Sequence, residues 1–339
     1  MIRVLIVDDS AVVRRVLTEQ LSHEPDIEVV GSAVDPFVAR DRIVQLKPDV
    51  ITLDIEMPRM DGLEFLERLM KHHPMPVVIV SSLSLAGSDA AMRALELGAV
   101  DVVPKPGNQY SAPEARAGLA QAIRAAARST PRPRPPSGTR RAAGPARALR
   151  TTDKLVAIGA STGGPGAIEH VLTGLPADMP GAIIVQHMPV GFTAAFAARL
   201  DSLCALTVRE AKDGDRIAPG LVLIAPAGIH AHVQRSGAQF VVRLKDGPRI
   251  HHQKPAVDVL FHSVAQQVGP NAVGVILTGL GQDGAAGLRA MRAAGARTIA
   301  ESETTCVVYG MPRVAVEMGA VERVLPLDGV AEGILQACG

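Results

Sequence analysis

Short aliphatic runs alternate with amphipathic stretches along nearly the whole chain. In residues 1–128 the runs fall at 4–7, 27–30, 49–53, 76–80 and 101–103, each the length of a buried strand. Between and after them, apolar positions recur at helical spacing over 11–22, 36–46, 62–72, 87–97 and 112–128. The alternation resumes over 151–339, with strand-like runs at 155–158, 182–185, 206–208, 273–277, 297–300 and 323–325. Strands that alternate with helices predict parallel sheets covered on both faces, here two doubly wound α/β domains. Residues 213–250 break the rhythm. Their β patterns at 221–224, 230–233 and 240–244 are separated by Gly and Pro, which predicts an antiparallel hairpin insert in the second domain.

Residues 129–150 carry five prolines, six arginines and no acid. Such a stretch buries no core and is expected to be a flexible, solvated linker. The expected domains are therefore 1–128 and 151–339. The chain of 339 residues is 47% hydrophobic but only 2% aromatic and lacks Trp, so its cores must be aliphatic. A formal net charge of +1 gives no global electrostatic case for nucleic acid. Three widely spaced cysteines, Cys204, Cys306 and Cys338, argue against a disulfide framework and fit a reducing cytosol. The first apolar run is too short for a signal peptide, and no run is long enough to predict membrane insertion.

In the first domain, chemistry gathers where strands end. Asp8 and Asp9 follow the first strand, Asp54 ends the third, Ser81 follows the fourth and Lys105 the fifth. A doubly wound sheet brings all five to its carboxyl rim. Clustered carboxylates repel one another, and a Mg2+ ion with its demand for hard oxygen ligands relieves that repulsion. A lone Asp after a strand is usually a helix cap. The joint order V-D-D-S, L-D-I-E-M-P-R-M-D-G, V-S-S and P-K-P is more specific, and it resembles the receiver domain of response regulators. The resemblance implies a flavodoxin-like fold, phosphorylation of Asp54 by a histidine kinase, and a metal held by Asp9, Asp54 and the main-chain carbonyl of Glu56. It also implies that Asp8, Ser81 and Lys105 line the pocket, and that Lys105–Pro106 is a cis peptide aiming the lysine inward.

The second domain carries three islands, I-G-A-S-T-G-G-P, V-Q-H-M-P-V-G-F-T and L-T-G-L-G-Q-D-G-A-A-G, each a strand breaking into a helix pattern. They hold Ser161, His187 and Asp283: a hydroxyl, an imidazole and a carboxylate, the parts of an activated serine nucleophile. Gly163 and Gly164 leave room for a substrate carbonyl, and the N–H near Thr162 is a candidate oxyanion donor. Each residue has a plainer reading: Ser161 in a phosphate-cradling turn, His187 as a satisfied polar residue, Asp283 as a helix cap. No Gly-Lys-Ser or Gly-Lys-Thr follows the glycine-rich turn, so a P-loop is excluded. His230 and His232, with His251 and His252 beyond the hairpin, lack metal-ligand spacing and read as solvated, though His230 is also a candidate for lining the cleft.

With A-P-A-G-I-H (225–230), P-A-V-D-V-L-F (255–261) and V-V-Y-G-M-P (307–312), the whole chain resembles the chemotaxis response-regulator protein-glutamate methylesterases, the CheB family. That resemblance implies a Rossmann-like esterase domain in which Ser161, His187 and Asp283 form the triad and no esterase cofactor is needed. It implies hydrolysis of glutamate methyl esters on the cytoplasmic helices of methyl-accepting chemoreceptors, giving adaptation in chemotaxis, and deamidation of receptor glutamines. The chemotaxis histidine kinase is the implied phosphodonor, and a cytoplasmic place at receptor arrays the implied location. Leu280 and Gln282 depart from the Met and Asn that the resemblance implies at these positions. A receiver that blocks the esterase until Asp54 is phosphorylated is the expected mode of control. A DNA-binding output and a nucleotide-dependent enzyme are the two rival readings; a neutral, long α/β second half disfavours the first.

Overall fold

Strands form where Val, Ile and Leu run together, and the first four helices start where a short polar side chain caps them. In a computed structural model describing residues 1–82, 84–106, 112–129 and 154–339, the chain opens with β1 (Ile2–Val7), α1 (Ala11–Ser22), β2 (Ile27–Ala33), α2 (Pro36–Leu46) and β3 (Val50–Asp54). α3 (Gly62–His72), β4 (Val77–Ser81), α4 (Leu85–Glu96), β5 (Asp101–Pro104) and α5 (Ala112–Ala127) complete the first unit. Ser10, Asp35, Asp61 and Ser84 each accept main-chain N–H bonds at the start of α1, α2, α3 and α4. The sheet order is β2-β1-β3-β4-β5, every pair parallel. The chain runs outward one way from β1 to β2 and the other way through β3. That switch point sets the ends of β1 and β3 side by side.

The second unit runs β6 (Leu155–Ala160), α6 (Gly164–Thr173), β7 (Ala182–Gln186), α7 (Thr193–Leu203), β8 (Thr207–Glu210), β9 (Leu221–Ile224), β10 (His230–Ser236), β11 (Gln239–Lys245) and α8 (Val257–Gln267). β12 (Ala272–Ile276), α9 (Ala285–Ala293), β13 (Arg297–Glu301), α10 (Met311–Glu317), β14 (Arg323–Leu325) and α11 (Leu327–Cys338) follow. Seven parallel strands order as β14-β13-β12-β6-β7-β9-β8. β6 and β12 flank the switch point here, and β6, β7 and β12 are buried throughout. Each fully buried Val, Ile or Leu contributes about 1.5–3 kcal/mol.

The alternation of strands and helices therefore translates into two parallel sheets, and β10 with β11 forms the expected antiparallel pair. One run differs. Residues 221–224, expected in the insert, form β9 inside the main sheet, parallel to β7 and β8. Four apolar residues carry no mark of their partner, and burial on both sides fixes the choice. The chain divides into the units 1–137 and 138–339 by contact. The expected linker at 129–150 lies outside the described residues from position 130 onward.

Candidate functional site

Ser161 and His187 occupy the next positions beyond the last register pair of β6 and β7, Ala160 with Gln186. The final ladder bond runs from the His187 N–H to the Ala160 carbonyl, 3.0 Å. On the other side, the Ser161 N–H donates to the Thr278 carbonyl just past β12, 3.0 Å. The three strand ends are thus stitched together, and Ser161 sits between the other two, 6% exposed. Gly279 presses against it: a Cβ there would lie 2.7 Å from the Ser161 Cβ. Gly163 turns the chain from Ser161 into α6 with φ +78°, a conformation that favours glycine, and a Cβ there would meet Val307 at 2.5 Å.

His187 Nε2 lies 2.8 Å from Asp283 Oδ2. Asp283 comes from the loop after β12, yet its carboxylate also accepts the Val257 N–H on Oδ2, 2.8 Å, and the Asp258 N–H on Oδ1, 2.9 Å. These are the first N–H groups of α8, whose own preceding residue, Ala256, offers no side-chain cap. Asp258 answers in kind: its Oδ1 accepts the Gly287 N–H of α9, 2.7 Å. The two helices exchange carboxylate caps. Burial alone would raise the Asp283 pKa, but the His187 contact and the two main-chain N–H groups outweigh it and hold it below the usual carboxylate range. His187 Nδ1 is buried and has no hydrogen-bond partner among the described residues.

The same kind of switch point in the first unit gathers Asp8, Asp9 and Asp54, with one carboxylate oxygen of each within 4.8 Å of the others. Lys105 Nζ donates to Asp54 Oδ2 at 2.7 Å and stands 3.7 Å from Asp8 Oδ2. Burial pushes Asp54 up to about 6 against the pull of Lys105, and raises Asp8 as well. Burial pulls Lys105 the other way, but Asp54, Asp8 and Asp9 outweigh it and raise its pKa. Asp8 Oδ2 is buried without a hydrogen-bond partner among the described residues. An acceptor-only oxygen left bare among carboxylates suits a hard divalent cation. The Glu56 N–H donates to Asp54 Oδ1, 3.2 Å, which seats the Glu56 main chain beside the pocket. The Ser81 hydroxyl donates to the Gly87 carbonyl, 3.1 Å, so in this structure it is engaged away from Asp54.

Two expectations need correction. The Lys105–Pro106 bond is not cis; the cis peptide among the described residues is Lys254–Pro255. Lys105 reaches Asp54 regardless, because its N–H continues the sheet onto the Ser81 carbonyl at 2.8 Å. His230 is not solvated: it is buried, its Nε2 donates to the Pro248 carbonyl at 2.8 Å, and its Nδ1 accepts the Ala256 N–H at 3.2 Å. It pins the segment leading into α8. No helix among the described residues is long and apolar enough to cross a membrane.

The profile described as CheB methylesterase matches residues 156–334, and that described as response regulator receiver domain matches residues 4–115. The chain belongs to the CheB methylesterase family. A relative in Syntrophus aciditrophicus (strain SB), named protein-glutamate methylesterase/protein-glutamine glutaminase 2, is 55% identical over 342 residues, covering 99% of this chain and 98% of its own length. A relative of the same activity name in Escherichia coli (strain K12) is 52% identical, covering 98% of this chain and 96% of its own length. The crystal structure of the Thermotoga maritima CheB methylesterase catalytic domain is similar with a TM-score of 0.53 at 39% identity, covering 54% of this chain and 97% of that one.

Within this CheB-family site, one buried polar side chain went unassigned in the sequence. Gln186 ends β7, in the run A-I-I-V-Q, and is 2% exposed. Its signal was a lone amide closing an otherwise aliphatic strand, directly before His187. The Asp258–Asp283 exchange had no such signal, because its partners lie 25 residues apart.

Proposed function

We propose that this chain is a phosphorylation-regulated serine esterase. It hydrolyses glutamate methyl esters on the cytoplasmic helices of chemoreceptors to free carboxylate and methanol, and deamidates receptor glutamines by the same acyl transfer. The observation that carries the reading is the buried His187–Asp283 bond, with Ser161 at the position matching His187 just past the neighbouring strand. The receiver and esterase family profiles, and the names of the relatives, support the substrate and the control.

Because Nε2 is committed to Asp283, Nδ1 is the nitrogen that serves Ser161. As Ser161 Oγ attacks the ester carbon, its proton passes to His187 Nδ1, and the carbonyl π electrons move to oxygen. The N–H of Thr162 and the positive end of α6 stabilise that oxyanion. Collapse breaks the acyl–oxygen bond, and His187 returns the proton to the leaving methoxide, releasing methanol. Water then repeats the sequence on the acyl-enzyme and frees the glutamate carboxylate and Ser161. Asp283 stays ionised throughout and balances the imidazolium charge.

In the receiver, Asp54 accepts the phosphoryl group from the chemotaxis histidine kinase. Asp9, Asp54 and the Glu56 carbonyl would hold Mg2+, with Asp8 beside it; the ion supplies charge neutralisation of the incoming phosphoryl oxygens. Lys105 contacts the acceptor carboxylate, and the added charge switches the esterase to its more active state. The domains of this reading are 1–128, a linker at 129–150 and 151–339, and its location is cytoplasmic, at receptor arrays.

Methanol release from a methylated receptor fragment tests the proposal. The full chain should release methanol faster with a small-molecule phosphoryl donor than without. Ser161→Ala should lose at least ~10³-fold in turnover while still accepting phosphoryl at Asp54. Retained turnover would require another nucleophile.

A further inference from the structure

Gln186 is a strange residue for its place. The rest of β7 is Ala, Ile, Ile and Val, all buried, and a buried amide with an unmatched oxygen is destabilising. Its Oε1 has no hydrogen-bond partner among the described residues. Its Nε2, however, donates twice: to the Ser161 carbonyl at 2.8 Å and to the His187 carbonyl at 2.9 Å. Both acceptors are oxygens, so the nitrogen end of the amide must face them. The main-chain ladder between β6 and β7 stops at the His187 N–H. Gln186 adds one more rung with its side chain, and that rung joins the main chain of the proposed nucleophile to that of the proposed base.

The bond also sets a direction. The Ser161 carbonyl is held by Gln186 Nε2 and by the Gly164 N–H, 2.7 Å. In a planar trans peptide the following N–H points opposite to the carbonyl. Fixing the Ser161 carbonyl therefore fixes the aim of the Thr162 N–H. Gly164 is cut to fit this arrangement: a Cβ there would fall 2.0 Å from Gln186 Oε1 and 2.9 Å from its Cδ. The first residue of α6 thus leaves a seat for the amide.

We propose that Gln186 is a positioning residue of the esterase, tying Ser161 to His187 through their carbonyls and aiming the Thr162 N–H at the oxyanion. The assignment rests on the triad reading above and deepens it. It does not touch substrate. Misplacement of a reacting group by about 1 Å costs about 10²-fold, so loss of the rung should lower kcat and spare KM.

The full chain is used for the test, with methanol release from a methylated receptor fragment normalised to sites titrated by a serine-directed fluorophosphonate. Gln186→Met keeps the length and apolar bulk but cannot donate. Its kcat per titrated site should fall about 10- to 100-fold, with KM within about threefold; the melting temperature should fall as well, because the His187 carbonyl loses its donor, so kcat per titrated site is the deciding readout. Gly164→Ala fills the seat from the other side and should give a defect of the same kind. The double variant should be no worse than the poorer single one, because both remove one contact. A merely structural role would lower the melting temperature and leave kcat per titrated site at the parent value, and that outcome overturns the proposal. A measurement on the unaltered protein stands beside it: the Gln186 side-chain amide hydrogens should exchange slowly with solvent. Exchange at the rate of an exposed glutamine overturns the proposal too. Ser161→Ala separates the two readings. If it stays active, the triad itself fails; if it is dead while Gln186→Met matches the parent, only the role of Gln186 fails.

Discussion

His187 meets Asp283 through Nε2, at 2.8 Å, and Asp283 simultaneously receives the opening N–H groups of α8. The carboxylate proposed to orient His187 is therefore also the cap of a helix. An amide cannot fill both posts, because it presents one acceptor oxygen where two are used. Asp283→Asn should lower turnover by about 10²–10⁴-fold. It should also lower unfolding stability by about 1–3 kcal/mol, the cost of an orphaned buried N–H. Steady-state methanol release and denaturant unfolding of the same variant check the two halves. A loss of turnover without loss of stability would mean that the helix contact is idle.

The two buried acids respond to pH in opposite senses. Asp283 has a folded pKa below its unfolded value, so its stabilisation is present above about pH 4 and is lost as pH falls through the folded value. Asp54 has a folded pKa of about 6, above its unfolded value. The folded receiver then binds the proton more tightly than the unfolded chain does, and its stability declines as pH rises from about 4 to about 6. Melting temperatures of the receiver unit across that window should fall with rising pH, and Asp54→Asn should flatten the trend.

In the proposed reading Mg2+ would compete with that proton. Its affinity for the acidic pocket should weaken as pH drops below about 6, where Asp54 protonates. Calorimetric titration with MgCl2 at several pH values reads this directly. Equal affinity at pH 5 and pH 8, taken as round values either side of the window, would place the ion away from Asp54.

Burial raises the thiol of Cys204 to about 12 and that of Cys338 to about 11, and it raises Cys306 further. Thiolate is then scarce at neutral pH. The folded enzyme should keep its turnover through iodoacetamide treatment that fully labels the unfolded chain. Inactivation in step with labelling of the folded protein would point to a cysteine in the chemistry.

Gly163 holds φ +78° between Ser161 and α6, with Val307 against its Cα. Gly163→Ala adds backbone strain of about 1–2 kcal/mol and forces Val307 aside. Stability should fall by at least that amount, and turnover per folded molecule should fall with it, since the turn carries Ser161, the proposed nucleophile. Unfolding curves and active-site titration separate the two effects.

Much of this arrangement was legible in the sequence because strand ends are legible. Asp8, Asp54 and Lys105 each follow an aliphatic run, and so do Ser161 and His187; parallel sheets collect such positions at one rim. What stayed hidden depends on partners far along the chain. The run 221–224 reads the same whether it pairs in a hairpin or within the main sheet. His230 looked solvated because the Pro248 carbonyl and the Ala256 N–H that satisfy it are set by tertiary packing. Gln186 was visible as a letter but not as a rung, since its acceptors are main-chain atoms.

Because Asp258 secures α9 while Asp283 secures α8, neither helix can slide or fray at its start without stranding a carboxylate on the other. His187 loses Asp283 at the same moment that both segments lose their anchors. Heat should therefore switch this enzyme off in a single event, its inactivation curve lying on top of the melting curve of the esterase unit, with no tepid interval in which that unit's fold persists and the chemistry is gone.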